Sequence, residues 1–216
     1  MASSVQGDDD IVEADVAEKK EDAGEIKPSF CEQPKLLFLL VLFSIFWTTS
    51  SFNYYLITFF MKYIPGNIFV NTSVSCASEI AANFISGLIV KGVGIKRAFV
   101  VSFVTAALGG LLLTFMFDKD KIMPVFVLLS KFGIACAFNT AYLTTPMVFP
   151  VILTSTAFGI CNVVARLATV ASPMIAELNF PTPTLAFSAF AILGIVCSFC
   201  IPARNQNAPD KEQDAK

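Results

Sequence analysis

Six apolar stretches fill the centre of this 216-residue chain, each about as long as the 17–25 residues that a helix needs to cross a hydrocarbon core of about 30 Å. They run over roughly 36–61, 68–90, 98–117, 122–146, 154–178 and 185–202. The separators carry charges and helix breakers: Lys62 to Asn67 with Pro65 and Gly66, Lys91 to Arg97, Asp118 to Lys121, Pro146 to Pro150, and Asn179 to Thr184 with Pro181 and Pro183. With 55% of residues apolar and only 15% charged, the composition is not that of a soluble domain. The pattern predicts an all-α membrane protein: six transmembrane helices in one domain, 36–202, between polar tails.

The tails are a different material. Residues 1–35 are rich in Asp, Glu and Lys and read as a disordered acidic tail, and 203–216 are polar in the same way. A secretory signal opens with basic residues and an apolar core. Here Met1 is followed by Asp8, Asp9 and Asp10, so the first span is expected to act as its own targeting signal. An even number of spans puts both tails on one side. Lys27, Lys35, Lys91, Lys96, Arg97 and Arg204 flank that side, against Lys62, Lys119 and Lys121 on the other, so both termini are expected in the cytosol. The plasma membrane is the favoured expectation among cellular membranes. Asn71-Thr72-Ser73 matches a glycosylation sequon but lies only a few residues into the second span, which argues against its use.

Several functions are excluded or disfavoured. The net charge of -2 comes mostly from the tails, and no basic stripe is present to hold nucleic acid. Cys31, Cys76, Cys136, Cys161, Cys197 and Cys200 are scattered, most of them within apolar runs, and read as small packing residues. Cys197 and Cys200 form a CxxC with no second pair beside it, and the chain has no His, so no metal or other cofactor is expected. There is neither a His base nor a phosphate-cradling Gly-x-x-x-x-Gly-Lys loop, so an enzyme is not expected and any transport would be driven by a gradient.

Glu79, Lys131 and Arg166 stand almost alone as charges within the spans. Each opposes insertion by about 2.5–3.5 kcal/mol at the bilayer centre. Helical spacing gathers polar residues around them. Thr72, Cys76, Glu79, Asn83 and Ser86 form one stripe; Ser155, Gly159, Asn162, Arg166, Thr169 and Pro173 form another. The fourth span has Lys131, Ala135, Asn139, Tyr142 and Pro146, and the first Ser44, Thr48, Ser51, Tyr55 and Thr58. Small and hydroxylated faces can serve packing alone. An internal ion pair from Glu79 to Lys131 or Arg166 would be structural, yet it leaves one positive charge over. A water-accessible cavity inside a helix bundle accommodates all three charges, and a solute carrier needs such a cavity.

The same residues carry a resemblance. Lys131-Phe132-Gly133-Ile134-Ala135-Cys136-Ala137-Phe138-Asn139 is close to the tenth-helix signature of the organic cation, anion and zwitterion transporter family. Trp47 with Tyr54-Tyr55 resembles that family's seventh helix, and Ser78-Glu79-Ile80 its eighth. Phe149-Pro150, Gly159, Ala165-Arg166 and Pro173 fall at the spacing of its Tyr-Pro loop and eleventh helix. The chain therefore resembles the C-terminal six-helix half of a major facilitator superfamily transporter, from about Ser29 to Pro202. The resemblance implies substrate contacts at Tyr54, Tyr55, Glu79, Lys131 and Arg166, to which the polar stripes add Asn139 and Asn162. Arg166 stands where anion carriers of the family tend to have Arg and cation carriers Asp, which leans the expected substrate towards a small organic anion.

The family's cytoplasmic gating loop maps onto Gly87, Lys91, Gly94, Lys96 and Arg97, with Pro150 after the fourth span. Here the pattern departs: the family's Asp is Lys91, its first Arg is Ile95, and beyond the fourth span its Glu is Met147 and its Arg Thr154. The substrate site of such transporters lies between two six-helix halves. The expectation is thus transport of a small organic ion by alternating access, as a partial chain or half-transporter that pairs with itself or with a missing N-terminal half in the lipid bilayer. The alternative is a non-transporting membrane scaffold or regulator derived from a transporter half.

Overall fold

The structure is a computed structural model and describes residues 34–64, 66–116 and 122–201. Of the expected tails only Pro34 and Lys35 are described, and they are helical rather than disordered; the rest of the tails, with Cys31, Lys27 and Arg204, the 118–121 separator with Lys119, and Pro65 lie outside the described residues. The chain divides into two compact units, Met1–Leu37 and Phe38–Lys216. Of the first, only the opening turn of a helix is described.

Among the described residues the secondary structure is entirely helical. The order is α1 Pro34–Phe60, a 3-10 turn Met61–Tyr63, α2 Ile68–Val93, α3 Ile95–Phe115, α4 Met123–Val148, α5 Val151–Thr169, the short α6 Ser172–Ala176, and α7 Thr182–Phe199. Counting the 3-10 turn with α1 and α6 with α5, six of these are long and apolar enough to cross a membrane. The protein is an integral, multi-pass membrane protein. A helix satisfies its own backbone in lipid, where water cannot. The hydroxyl side chains follow the same rule: Thr114, Ser130, Thr144, Thr145 and Ser188 each donate to the carbonyl one turn back.

The helix ends follow local chemistry. The Asn67 side chain accepts from the Phe69 N–H at 2.9 Å and caps α2. Gly94 alone separates α2 from α3 and has φ 89°, a conformation that disfavours any residue with a Cβ. Prolines open α4 and α7, where a missing N–H costs nothing.

Close packing comes from small residues where helices cross. A Cβ on Gly109 would sit 2.5 Å from the backbone nitrogen of Ser130, and one on Gly133 would collide with the backbone of Ala106, so α3 and α4 touch main chain to main chain. Gly110 and Gly194 meet Phe187 and Phe103 in the same way at the α3–α7 contact. One aromatic cluster joins α1 to α3, with Phe46 stacked on Phe99 at 4.3 Å, and Phe43 extends it edge-on to Phe149, just past the end of α4, at 5.6 Å. Asn53, fully buried, donates to the carbonyl of Phe187 at 3.1 Å and ties α1 to α7.

Burial is uneven. Only 28% of the most apolar stretch of α2 and 22% of that of α5 and α6 is buried, against 61% of α4. Yet α2 and α5 carry Glu79, Asn83, Asn162 and Arg166. Polar residues on the least covered helices mark the side on which the site opens.

Candidate functional site

α1, α2, α4 and α5 enclose a cavity of about 310 Å3 lined by Tyr54, Tyr55, Glu79, Asn83, Ala135, Phe138, Asn139, Tyr142 and Arg166. Helical spacing delivers each group. Glu79 and Asn83 are one turn apart on α2, and Ala135, Asn139 and Tyr142 follow at steps of four and three on α4.

One end of the cavity is a charge network. Lys131 Nζ donates to Glu79 Oε1 at 2.9 Å and to Thr58 Oγ1 at 2.6 Å, and it lies 4.0 Å from the centre of the Tyr54 ring. The Tyr54 hydroxyl donates to the other carboxylate oxygen, Glu79 Oε2, at 2.9 Å. Both oxygens of Glu79 are thereby engaged. The ammonium of Lys131 is saturated by two acceptors and a ring face, so its burial leaves no orphan charge.

The other end is Arg166. Its Nη1 donates to the Tyr55 hydroxyl at 2.7 Å, and its guanidinium carbon lies 5.7 Å from the centre of the Tyr55 ring. Among the described residues no carboxylate pairs with it. The side chain is exposed, so the remaining N–H groups of a planar, five-donor cation are open to the cavity.

Aromatic rings connect the two ends. Tyr54 and Tyr55 meet edge-on at 5.5 Å, Tyr54 stacks on Phe138 at 5.7 Å, and Phe138 leads to Tyr142 at 4.9 Å. Behind them Trp47 packs 4.2 Å from Tyr142 and 5.1 Å from Phe158, with its indole N–H donating to Thr145 at 3.2 Å. Asn139 donates to Asn83 at 2.6 Å and bridges α4 to α2. Such a surface can bind the carboxylate of a solute at one end and its apolar body along the rings. No group of three or more potential metal ligands occurs among the described residues.

Of the residues singled out in the sequence, Tyr54, Tyr55, Glu79, Asn139 and Arg166 line the cavity, while Lys131 and Asn162 do not. Lys131 is 1% exposed and sits behind Glu79 and Tyr54. Asn162 is half-buried on α5, one turn before Arg166. Phe138, Tyr142 and Asn83 line the cavity, and Thr58 completes the shell of Lys131, though none was singled out as a site residue. The α4 step pattern carried the signal for Tyr142, and the α2 stripe that for Asn83.

The loop residues lie apart from the cavity. From Glu79 to Lys91 α2 rises about 18 Å. Lys91 and Arg97 are exposed, Gly87 has open space where a Cβ would stand, and Pro150 precedes the first turn of α5. Lys96 Nζ donates to the Phe199 carbonyl at 2.9 Å, a cation at the C-terminal end of α7 where the helix dipole favours one.

No protein-family model matches the chain. Curated relatives do. The chain is 26% identical over 189 residues to solute carrier family 22 member 6 of Bos taurus, covering 85% of this chain and 34% of that protein. It is 27% identical over 178 residues to organic anion transporter 3 of Rattus norvegicus, covering 79% and 33%. A third relative, the putative transporter B0252.3 of Caenorhabditis elegans, is 24% identical over 200 residues, covering 89% and 41%. The chain thus spans roughly a third to two fifths of the length of these curated relatives, and these are transporters rather than enzymes. In sequence and in helix count it resembles one six-helix half of a solute carrier family 22 transporter.

Proposed function

We propose that this chain binds and carries a small organic anion across a membrane, working against a second six-helix bundle by alternating access. The observation that carries the proposal is Arg166: a guanidinium at the cavity wall, held by Tyr55 and, among the described residues, paired with no carboxylate. With Glu79 and Lys131 neutralising each other, the cavity keeps one net positive charge, which favours an anionic solute over a cationic one. The relatives named for organic anions support the same sign.

The open faces of α2 and α5 are where the second bundle packs, whether another copy of this chain or a separate half. Polar residues on helices so little covered need either water or protein beside them. Lys91, Lys96 and Arg97 cluster at the α2–α3 connection, which supports placing that end, and both termini, in the cytosol. The plasma membrane is the proposed location.

A second reading has its own observation. The Glu79–Lys131 pair is complete without a solute, so two of the three charges are also compatible with a membrane scaffold that transports nothing. Uptake and binding of labelled organic anions and cations by vesicles containing the chain separate the two. Retention of anions over cations that is lost on Arg166→Ala supports the carrier. Equal retention of both, untouched by Arg166→Ala in well-inserted protein, supports the scaffold.

A further inference from the structure

Packing explains only some of the cysteines. Cys136 and Cys161 are buried, but Cys200 is exposed, and Cys197, one turn before it, is only partly covered. Cys76 is exposed too, yet it lies about 12 Å inside α2, one turn before Glu79. Cys200 directly follows the last residue of the last span.

The helix leading to Cys200 presents one unbroken apolar face. Leu185, Ala189, Ile192, Leu193, Val196 and Phe199 fall on the same side of α7 by helical spacing and are all exposed. Between Leu185 and Phe199 no exposed residue is polar, in contrast to α2 and α5, so this face suits lipid rather than water or a second bundle. Cys200 continues the turn, its N–H donating to the Cys197 carbonyl at 3.0 Å, and falls on that same side.

Depth places the thiol. The 18 residues of α7 rise about 27 Å, close to the thickness of a hydrocarbon core of about 30 Å, so Cys200 stands at the boundary. Lys96 marks the same level: its ammonium donates to the Phe199 carbonyl and lies 5.7 Å from the centre of the Phe199 ring. With Lys91 and Arg97 it makes this end basic, which attracts a polyanion.

We propose that Cys200 is S-acylated, carrying a long-chain fatty acyl group that lies along the Val196, Leu193 and Ala189 face of α7. The donor is a long-chain acyl-coenzyme A. The Cys200 sulfur attacks its carbonyl carbon, a carbon–sulfur bond to Cys200 forms as the bond to the coenzyme A sulfur breaks, and the thiol proton passes to that leaving sulfur. One thioester replaces another, so no oxidant or reductant is needed. From Cys200 to Ala189 the face runs about 17 Å, the depth of one leaflet of a core of about 30 Å. The proposal rests on the cytosolic placement of this end argued above, because acyl-coenzyme A is a cytosolic polyanion that does not cross a bilayer. On that side thiols are kept reduced, which disfavours a Cys197–Cys200 disulfide.

The test is metabolic labelling of the full chain in cultured animal cells with an alkyne-tagged palmitate, followed by purification and dye coupling. Wild type is expected to carry label that neutral hydroxylamine, which cleaves thioesters, removes. Cys200→Ser is expected to lose the label at an unchanged level of chain, while Cys197→Ser, Cys76→Ser and Cys31→Ser keep it. A chain whose sole cysteine is Cys200 is also treated, after hydroxylamine, with a membrane-impermeant maleimide on intact and on permeabilised cells, and reaction is expected only after permeabilisation. Reaction on intact cells would overturn the cytosolic placement and the acylation together. A cytosolic Cys200 in a chain without hydroxylamine-sensitive label, or with label that survives Cys200→Ser, would overturn the acylation alone.

Discussion

Lys131 and Glu79 meet at 2.9 Å, yet the lysine side chain is 1% exposed and the glutamate 29%. One partner is sealed in protein while the other faces the cavity. The two ends of this ion pair therefore answer differently to mutation. Glu79→Gln strands a buried ammonium, and breaking a buried pair from one side costs about 3–5 kcal/mol, an upper bound here because Glu79 is partly solvated. The thermal midpoint in detergent is expected to fall clearly for Glu79→Gln and to recover when Lys131→Met is added. A Glu79→Gln chain that melts with the wild type would contradict the assigned pairing.

Tyr55 holds Arg166 by a 2.7 Å hydrogen bond. Tyr55→Phe keeps the ring and removes the acceptor. Hydrogen bonds to charged groups contribute about 1.5–3 kcal/mol, so a binding site that depends on this anchor loses about 10- to 150-fold in anion affinity. The check is equilibrium binding of a labelled organic anion to wild type and variant, with thermal stability as control. An unchanged affinity would mean that Tyr55 does not position the guanidinium.

Glycines at crossings and glycines in open space are expected to behave oppositely. Gly109→Ala and Gly133→Ala push a Cβ into main chain of the neighbouring helix, an overpacking cost of about 1–3 kcal/mol. Gly159→Ala meets nothing within 4 Å and gains helix propensity, about 1 kcal/mol. Thermal scans of the three variants should bracket the wild type, with Gly159→Ala highest. The reverse order would refute the close α3–α4 contact.

Water access can be read chemically. In a background without native cysteines, Asn139→Cys should react with a membrane-impermeant thiol reagent faster than Asn162→Cys, because only Asn139 lines the cavity. Inert protein at both positions would show the cavity closed to water.

The fold was legible because lipid imposes one length and one hydrogen-bond solution on every span, so apolar runs report helices directly. The separators were a weaker guide to the ends: Pro146 lies inside α4, and Lys91 and Lys96 inside α2 and α3. The site was legible where a polar stripe follows a single helix: Glu79 with Asn83 on α2, and Asn139 with Tyr142 on α4. It was less so on α1. There Ser44, Thr48, Ser51, Tyr55 and Thr58 look like one stripe, but Ser44 donates to the Leu40 carbonyl at 2.8 Å, Ser51 bonds Thr169 at 3.1 Å, Thr58 accepts from Lys131 at 2.6 Å, and only Tyr55 lines the cavity. A helix packed on all sides distributes its polar groups among several neighbours, and periodicity cannot say which. Nor could it tell that Glu79 pairs with Lys131 rather than with Arg166, since that choice depends on how α2, α4 and α5 are arranged in space.

Gly94 stands alone between helices of 26 and 21 residues. A joint one residue long leaves no slack, so α2 and α3 behave as the two arms of a stiff tweezer. Should a solute tilt α2 at Glu79, the other arm must follow, and the free play lies at the opposite tip. There Gly66, at φ 107°, and Asn67 lead into α2 after the 3-10 turn. The hairpin is thus fastened at its Lys91 end and spreads most readily at its Asn67 end.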